Sequence, residues 1–244
     1  MNKDLMEMLK DKKRMKEEGL FTVDTEKILE EIINRGIEIT DFIYCEEAAE
    51  VYTKYAHKLK AAPLVVRESY IQRFASVKNH QGFIAVAKAP VNTIKDLSKH
   101  ERIIVLDNIQ EPANLGALIR SGAAFGFRDF LLIDCAYLFN EKTIRASAGA
   151  VFSIKYKEAE EKDIKEIKNR QVIITDVGEG VRLKKALEKM EVPYALVFGN
   201  EGRGVSEPFR EAATLKIKIE YPGKEIESLN VAASAAIIFY ELTR

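Results

Sequence analysis

The sequence has no tryptophan, and only three histidines, two cysteines and six prolines among its 244 residues. Cys45 and Cys135 are far apart, each among apolar neighbours, with no second cysteine or histidine at ligand spacing. That argues against a disulfide framework or a zinc site and predicts no metal. Both cysteines read as small core residues of a reduced, cytoplasmic protein. An excess of one charge is lacking too: 38 basic residues balance 38 acidic ones. Global charge therefore does not announce a nucleic-acid binder, and any such reading must rest on local patches. Long apolar runs are absent. Val231 to Phe239 is interrupted by Ser234 and is too short to span a bilayer. The first residues, Met-Asn-Lys-Asp-Leu, lack the apolar core of a signal peptide. There is no tandem repeat and no low-complexity segment.

What is present is the composition of a globular protein, 47% hydrophobic and 31% charged. Residues 3–18 predict one helix, with Lys10, Lys12, Lys13, Arg14 and Lys16 near its end. They form either a solvated face or a phosphate-facing arm. Asp24 can cap a helix over 25–34 carrying Ile28, Leu29, Ile32 and Ile33, stopped by Gly36. Strands are expected at 42–45, 63–66 and 82–87, and helices at 48–59 and 68–74. This alternation describes a small α/β domain over residues 1–96. Its last part holds Arg67, Arg73, Lys78 and His80 among amide side chains, a loop that could bind RNA phosphates and bases or simply be solvated. The polar stretch 91–101 marks the domain boundary. Residues 97–244 predict a second alternating series. Strands are expected at 102–106, 130–133, 152–156, 172–175, 194–198 and 215–219. Helices are expected at 114–125, 140–150, 160–169, 181–190 and 229–243. The pattern is that of a mostly parallel sheet with helices on both faces.

Three stretches of this second domain carry the candidate chemistry. The first, Leu106 to Arg120, places Asn114 before a buried stripe of Leu115, Leu118, Ile119, Gly122 and Ala123, where it is a natural N-cap. Arg120 lies one position off that stripe, turned to a crevice or to water. The second, Leu196 to Ser206, is a buried strand breaking into a loop with glycine at 199, 202 and 204 and a carboxylate at Glu201. It lacks the Gly-Lys-Ser/Thr of a phosphate-binding loop, and its glycine spacing is not that of a dinucleotide fingerprint. The third, Ser228 to Ser234, puts Ser228 and Asn230 before an alanine-rich helix that either could cap.

Taken together and in this order, the three stretches resemble the three motifs of the SpoU (TrmH-type) branch of the SPOUT methyltransferases. Asn114 with Arg120 resembles the first, Leu196–Ser206 the second and Ser228–Ser234 the third; Arg145 to Ala150 matches a further recurring segment. The N-terminal part is similar, more loosely, to the ribosomal-protein-like substrate-binding domain of that family. The run Ile219-Glu-Tyr-Pro-Gly223 departs from the family's usual Ile-Pro-Met, with one extra residue before Ser228.

The resemblance implies an α/β fold whose C-terminal segment, roughly 195–244, is threaded into a trefoil knot, an exception to ordinary topology rules. It implies a homodimer and S-adenosylmethionine as cofactor, with Phe198, Gly199, Asn200, Ile219, Ser228 and Leu229 as cofactor-binding residues. It implies methyl transfer to a ribose 2'-hydroxyl of RNA, with ribosomal RNA favoured over tRNA. Arg120, Asn114, Glu201 and Asn230 would be the catalytic residues, and Arg67, Arg73, Lys78 and His80 the substrate-binding ones. Because arginine stays protonated in proteins, Arg120 is better suited to holding a phosphate and a developing alkoxide than to acting as a base. The competing reading is a ribosome-assembly or RNA-binding protein that kept the fold without the catalysis.

Overall fold

The computed structural model describes residues 3–60, 62–75, 80–160, 164–165, 167, 169–176, 178, 180–223, 225 and 228–244. The chain forms two compact units: Met1–Val91 with Phe139–Ile144, and Asn92–Leu138 with Arg145–Arg244.

The first unit holds α1 (Lys3–Met8), α2 (Lys12–Glu17), β1 (Leu20–Val23), α3 (Glu26–Asn34), β2 (Ile39–Tyr44), α4 (Ala49–Tyr55), β3 (Pro63–Val65), α5 (Glu68–Phe74) and β4 (Phe83–Lys88). Its sheet runs β1-β4-β2-β3, with β4 antiparallel to both neighbours and β2 parallel to β3. The single helix expected over 3–18 is two helices. Asp11 breaks it by accepting hydrogen bonds from the backbone N–H groups of Lys13 and Arg14, which starts α2 afresh. Several cations of that segment face carboxylates: Arg14 pairs with Asp4 and Glu18, Lys13 with Glu17, and Lys12 with Glu141. The N-cap position of α3 is Thr25, whose side chain makes no capping hydrogen bond, rather than Asp24, which is buried. Leu5, Met8, Met15, Ile43, Ile71, Ile84 and Val86 form a core with Cys45, which lies buried against Gly82.

The second unit contains β5 (Arg102–Asp107), α6 (Pro112–Ala124), β6 (Asp129–Ile133), the last two residues of α7 (Glu141–Ala146, otherwise in the first unit), β7 (Lys155–Ala159), β8 (Gln171–Thr175), β9 (Val181–Arg182), α8 (Leu183–Leu187), β10 (Tyr194–Phe198), α9 (Glu207–Ala212), β11 (Leu215–Lys218) and α10 (Val231–Leu242). The sheet order is β7-β6-β5-β10-β8-β11-β9 and every pairing is parallel. Alternate strand residues feed two cores. Ile103, Val105, Val172, Ile174, Ala195 and Val197 pack on one face with Phe209 of α9. On the other face α6 and α10 meet, and Phe239 of α10 packs against Phe127 and Phe198.

Several bounds differ from expectation. Helix α7 ends early because Ala148 and Gly149 adopt positive φ, and a short 3-10 turn over Ala150–Ser153 pushes β7 to Lys155. The helix expected over 181–190 begins as the edge strand β9. The helix expected over 160–169 falls partly outside the described residues. Cys135 is only half buried; its Sγ lies 3.1 Å from the Leu106 carbonyl, and burial pushes its thiol up to about 12. Among the described residues no helix is long and apolar enough to cross a membrane.

Candidate active site

In a parallel sheet the carboxyl ends of the strands point the same way, and ligands bind beyond them. Here the ends of β5, β8, β10 and β11 bring the candidate stretches together.

The glycine loop after β10 is folded on itself. Asn200 and Gly204 exchange backbone hydrogen bonds of 3.0 and 2.8 Å, and Asn200 Oδ1 accepts from the N–H groups of Gly202 and Arg203. Gly199 lies so close to the returning strand that a Cβ there would sit 2.4 Å from Gly204 C and Val205 N. Gly204 has φ +71°, a conformation that favours glycine. The first stretch ties this loop down: Asn200 Nδ2 donates to the Asn108 carbonyl at 2.9 Å, and buried Asp107 accepts from Ser206 N–H at 2.6 Å.

Helix α6 does not begin at Asn114. Pro112 occupies its first turn and Glu111 is the N-cap, accepting from Ala113 N–H. Asn114 is therefore inside the helix, and its side chain is released from capping. Its Nδ2 donates to Glu201 Oε1 at 2.6 Å, and its Oδ1 accepts from Asn230 Nδ2 at 3.0 Å. Asn230 Oδ1 in turn caps α10 through Ala232 and Ala233 N–H. One hydrogen-bonded line thus joins three of the four expected catalytic residues across all three stretches.

Arg120 stands apart. It is exposed and takes no part in this line; of the four expected catalytic residues only Glu201 lines the adjoining cavity. Six residues along a helix place it about 9 Å further along the axis and about 120° around from Asn114.

The cavity has a volume of about 310 Å³, at the lower end for a small-molecule site. Of the six residues expected to bind the cofactor, Gly199, Asn200, Ile219, Ser228 and Leu229 line this cavity. Phe198 does not; it is fully buried against Phe239. Its lining has an apolar part, Val205, Ile217, Ile219, Leu229 and Val231, and a charged part, Asp176, Glu201, Arg203 and Arg210, of which Asp176 and Arg210 pair directly. A flat base against the apolar part and polar groups against loop backbone is a donor set that fits an adenosine-bearing cofactor.

Asp176 and Arg210 were not legible as site residues. The one signal for Asp176 is its place after a buried strand and before Gly178 and Gly180. Arg210 looks like an ordinary cation on a short helix. In the first unit, Arg67 stands just before α5 without a side-chain cap and Arg73 lies in its last turn over the Phe74 ring, both exposed. His80 Nδ1 accepts from Gly82 N–H at 3.2 Å. Lys78 lies outside the described residues.

Comparison with known proteins gives two family matches. The SpoU rRNA methylase family matches residues 101–240, and the MRM3-like substrate binding domain matches residues 3–85. The 23S rRNA (guanosine(2553)-2'-O)-methyltransferase of Bacillus subtilis is 27% identical over 95% of this chain and 91% of its own length. The 23S rRNA (guanosine-2'-O-)-methyltransferase of Bordetella pertussis is 30% identical over 68% of this chain and 71% of its own. Among solved structures, an AdoMet-bound rRNA methyltransferase from Sinorhizobium meliloti superposes with a TM-score of 0.81. It is 25% identical and is matched over 99% of this chain and 94% of that one.

Proposed function

The chain belongs to the SpoU rRNA methylase family, and we propose that it transfers a methyl group from S-adenosylmethionine to a ribose 2'-hydroxyl of RNA, ribosomal RNA first among candidates. On this reading residues 97–244 are the methyltransferase domain, with the C-terminal segment threaded as a trefoil knot, and residues 1–96 bind the RNA. Arg67, Arg73, Lys78 and His80 are the substrate-contacting side chains we assign to that domain. The observation that carries the proposal is the Glu201–Asn114–Asn230 line, which meets the cavity at Glu201.

S-adenosylmethionine supplies an electrophilic methyl group on a sulfonium. The hydroxyl attacks in line, so fixing the two reactants relative to each other is a large part of the catalysis. Asn114 and Asn230 orient the sugar, and Glu201 fixes Asn114 and the glycine loop. The O–C bond would form as the methyl–sulfur bond breaks and the cofactor leaves as the neutral thioether, and the hydroxyl proton would pass to water or the neighbouring phosphate. Arg120 holds that phosphate and stabilises the alkoxide as it develops.

Arg120 points off the face that bears Asn114, so we assign it to the site of a second copy of the chain in a homodimer. Ile237 and Tyr240 on α10 are large apolar side chains left exposed, 39% and 49%, which suits such a contact.

The test separates binding from transfer. Arg120→Ala should lower transfer of labelled methyl to RNA by about 10²–10³-fold or more, while titration calorimetry shows cofactor affinity unchanged. Full activity in that variant removes Arg120 from the mechanism. Label incorporated into tRNA and not into ribosomal RNA overturns the substrate assignment.

A further inference from the structure

The charged part of the cavity lining is a built structure. Asp176 stands at the carboxyl end of β8, its side chain 13% exposed, with Oδ1 accepting from Gly178 N–H at 2.8 Å and Oδ2 3.2 Å from Arg210 Nη1. Its backbone N–H donates to the Ile217 carbonyl. Lys218 Nζ donates to the Gly178 carbonyl, which pins the same turn to β11. Arg210 reaches in from α9: its Nε donates to the Val205 carbonyl at 2.7 Å. Its Nη2 lies over Gly204, where a Cβ would come within 2.8 Å. The pair therefore spans from the apolar part of the lining, through Ile217, to the glycine loop that carries Glu201.

That position selects a part of the cofactor. Resting on the proposed use of S-adenosylmethionine, we place its base on the apolar side of the cavity and its sulfonium toward Glu201, the member of the hydrogen-bonded line that borders the cavity. The sugar between them then meets the Asp176–Arg210 pair. A carboxylate accepts up to about four hydrogen bonds, and a vicinal diol offers two donors at matching spacing. We propose that Asp176 binds the ribose hydroxyls of the cofactor and that Arg210 is the positioning residue that aims its carboxylate. Arg210 fits this role because its fork is fixed at Val205 and at Asp176 together, where lysine could make only a point contact.

The experiment is calorimetric and needs no turnover. Wild-type protein is titrated with S-adenosylhomocysteine, with its 2',3'-dideoxy analogue, and with methylthioadenosine, which keeps the diol but lacks the amino-acid tail. Wild type should prefer S-adenosylhomocysteine over the dideoxy analogue by about 10–100-fold, the worth of hydrogen bonds to a charged group. Asp176→Asn should lose most of that preference and should weaken methylthioadenosine by a similar factor. Arg210→Met should lose part of the preference with the fold intact by circular dichroism. Absence of a hydroxyl preference in wild type overturns the proposal without recourse to any variant. So does an Asp176→Asn effect that vanishes with methylthioadenosine, which would put the carboxylate on the amino-acid tail. Full preference retained in Arg210→Met removes Arg210. No binding of any of the three ligands by wild type is a different failure, that of the cofactor assignment itself.

Discussion

Asn230 uses the two ends of one amide for different purposes. Its oxygen caps α10 and its nitrogen reaches Asn114. These roles can be separated by substitution. Asn230→Asp keeps a good cap, so its stability should stay within about 0.5 kcal/mol of wild type, yet it has no N–H to give Asn114 and methyl transfer should fall by at least about tenfold. Asn230→Ala should lose both, with about 1 kcal/mol of stability gone. Thermal melts beside a transfer assay read the two effects; equal activity in Asn230→Asp and wild type would mean the Asn114 contact is idle. The residue types at 114, 201 and 230 were legible from sequence, but their geometry was not. Asn114 read as an N-cap because asparagine ahead of an apolar stripe usually is one. Pro112, two residues earlier, starts the helix sooner and turns that cap into a site residue.

At the level of elements, α6 and α10 form the platform under the site, and their approach depends on small residues. Gly122 on α6 faces Phe130 and Phe239, and a Cβ there would lie 2.8 Å from Phe130 Cζ. Gly122→Ala should therefore destabilise the protein by about 1–3 kcal/mol, because the aromatic rings beneath it have no room to yield. Denaturant unfolding measures this; an unchanged or raised midpoint would show that the rings shift freely. Five of the seven strands of the parallel sheet were read to within one residue at either end, since buried runs such as Arg102–Asp107 and Tyr194–Phe198 are bounded by polar turns, whereas β7 begins three residues later than expected. The two-residue β9 and six-residue α9 were missed: neither is long enough to show a period. That miss matters, because α9 carries Arg210.

For the whole molecule, the account requires two chains per working unit. A dimer should sediment at twice the 27.6 kDa of the chain, and the double variant Ile237→Glu, Tyr240→Glu should shift it to monomer. One chain by itself forms the cavity, and the monomer should keep its affinity for S-adenosylhomocysteine within a few-fold while transfer is lost. A fully active monomer would return Arg120 to its own chain's site. The expectation of a pair rests on the resemblance of the motifs alone, since an alanine-rich helix packs equally well inside a fold.

The central claim is that the methyl group lands on a sugar oxygen of RNA. Purified protein incubated with ribosomal RNA and methyl-labelled S-adenosylmethionine, followed by complete nuclease digestion and mass spectrometry of the nucleosides, tests it directly. The account predicts the label in one 2'-O-methylated nucleoside, resistant to alkaline cleavage at that position, and none with Arg120→Ala. Label on a base, or no label in any RNA offered to a protein that binds the cofactor, would contradict it.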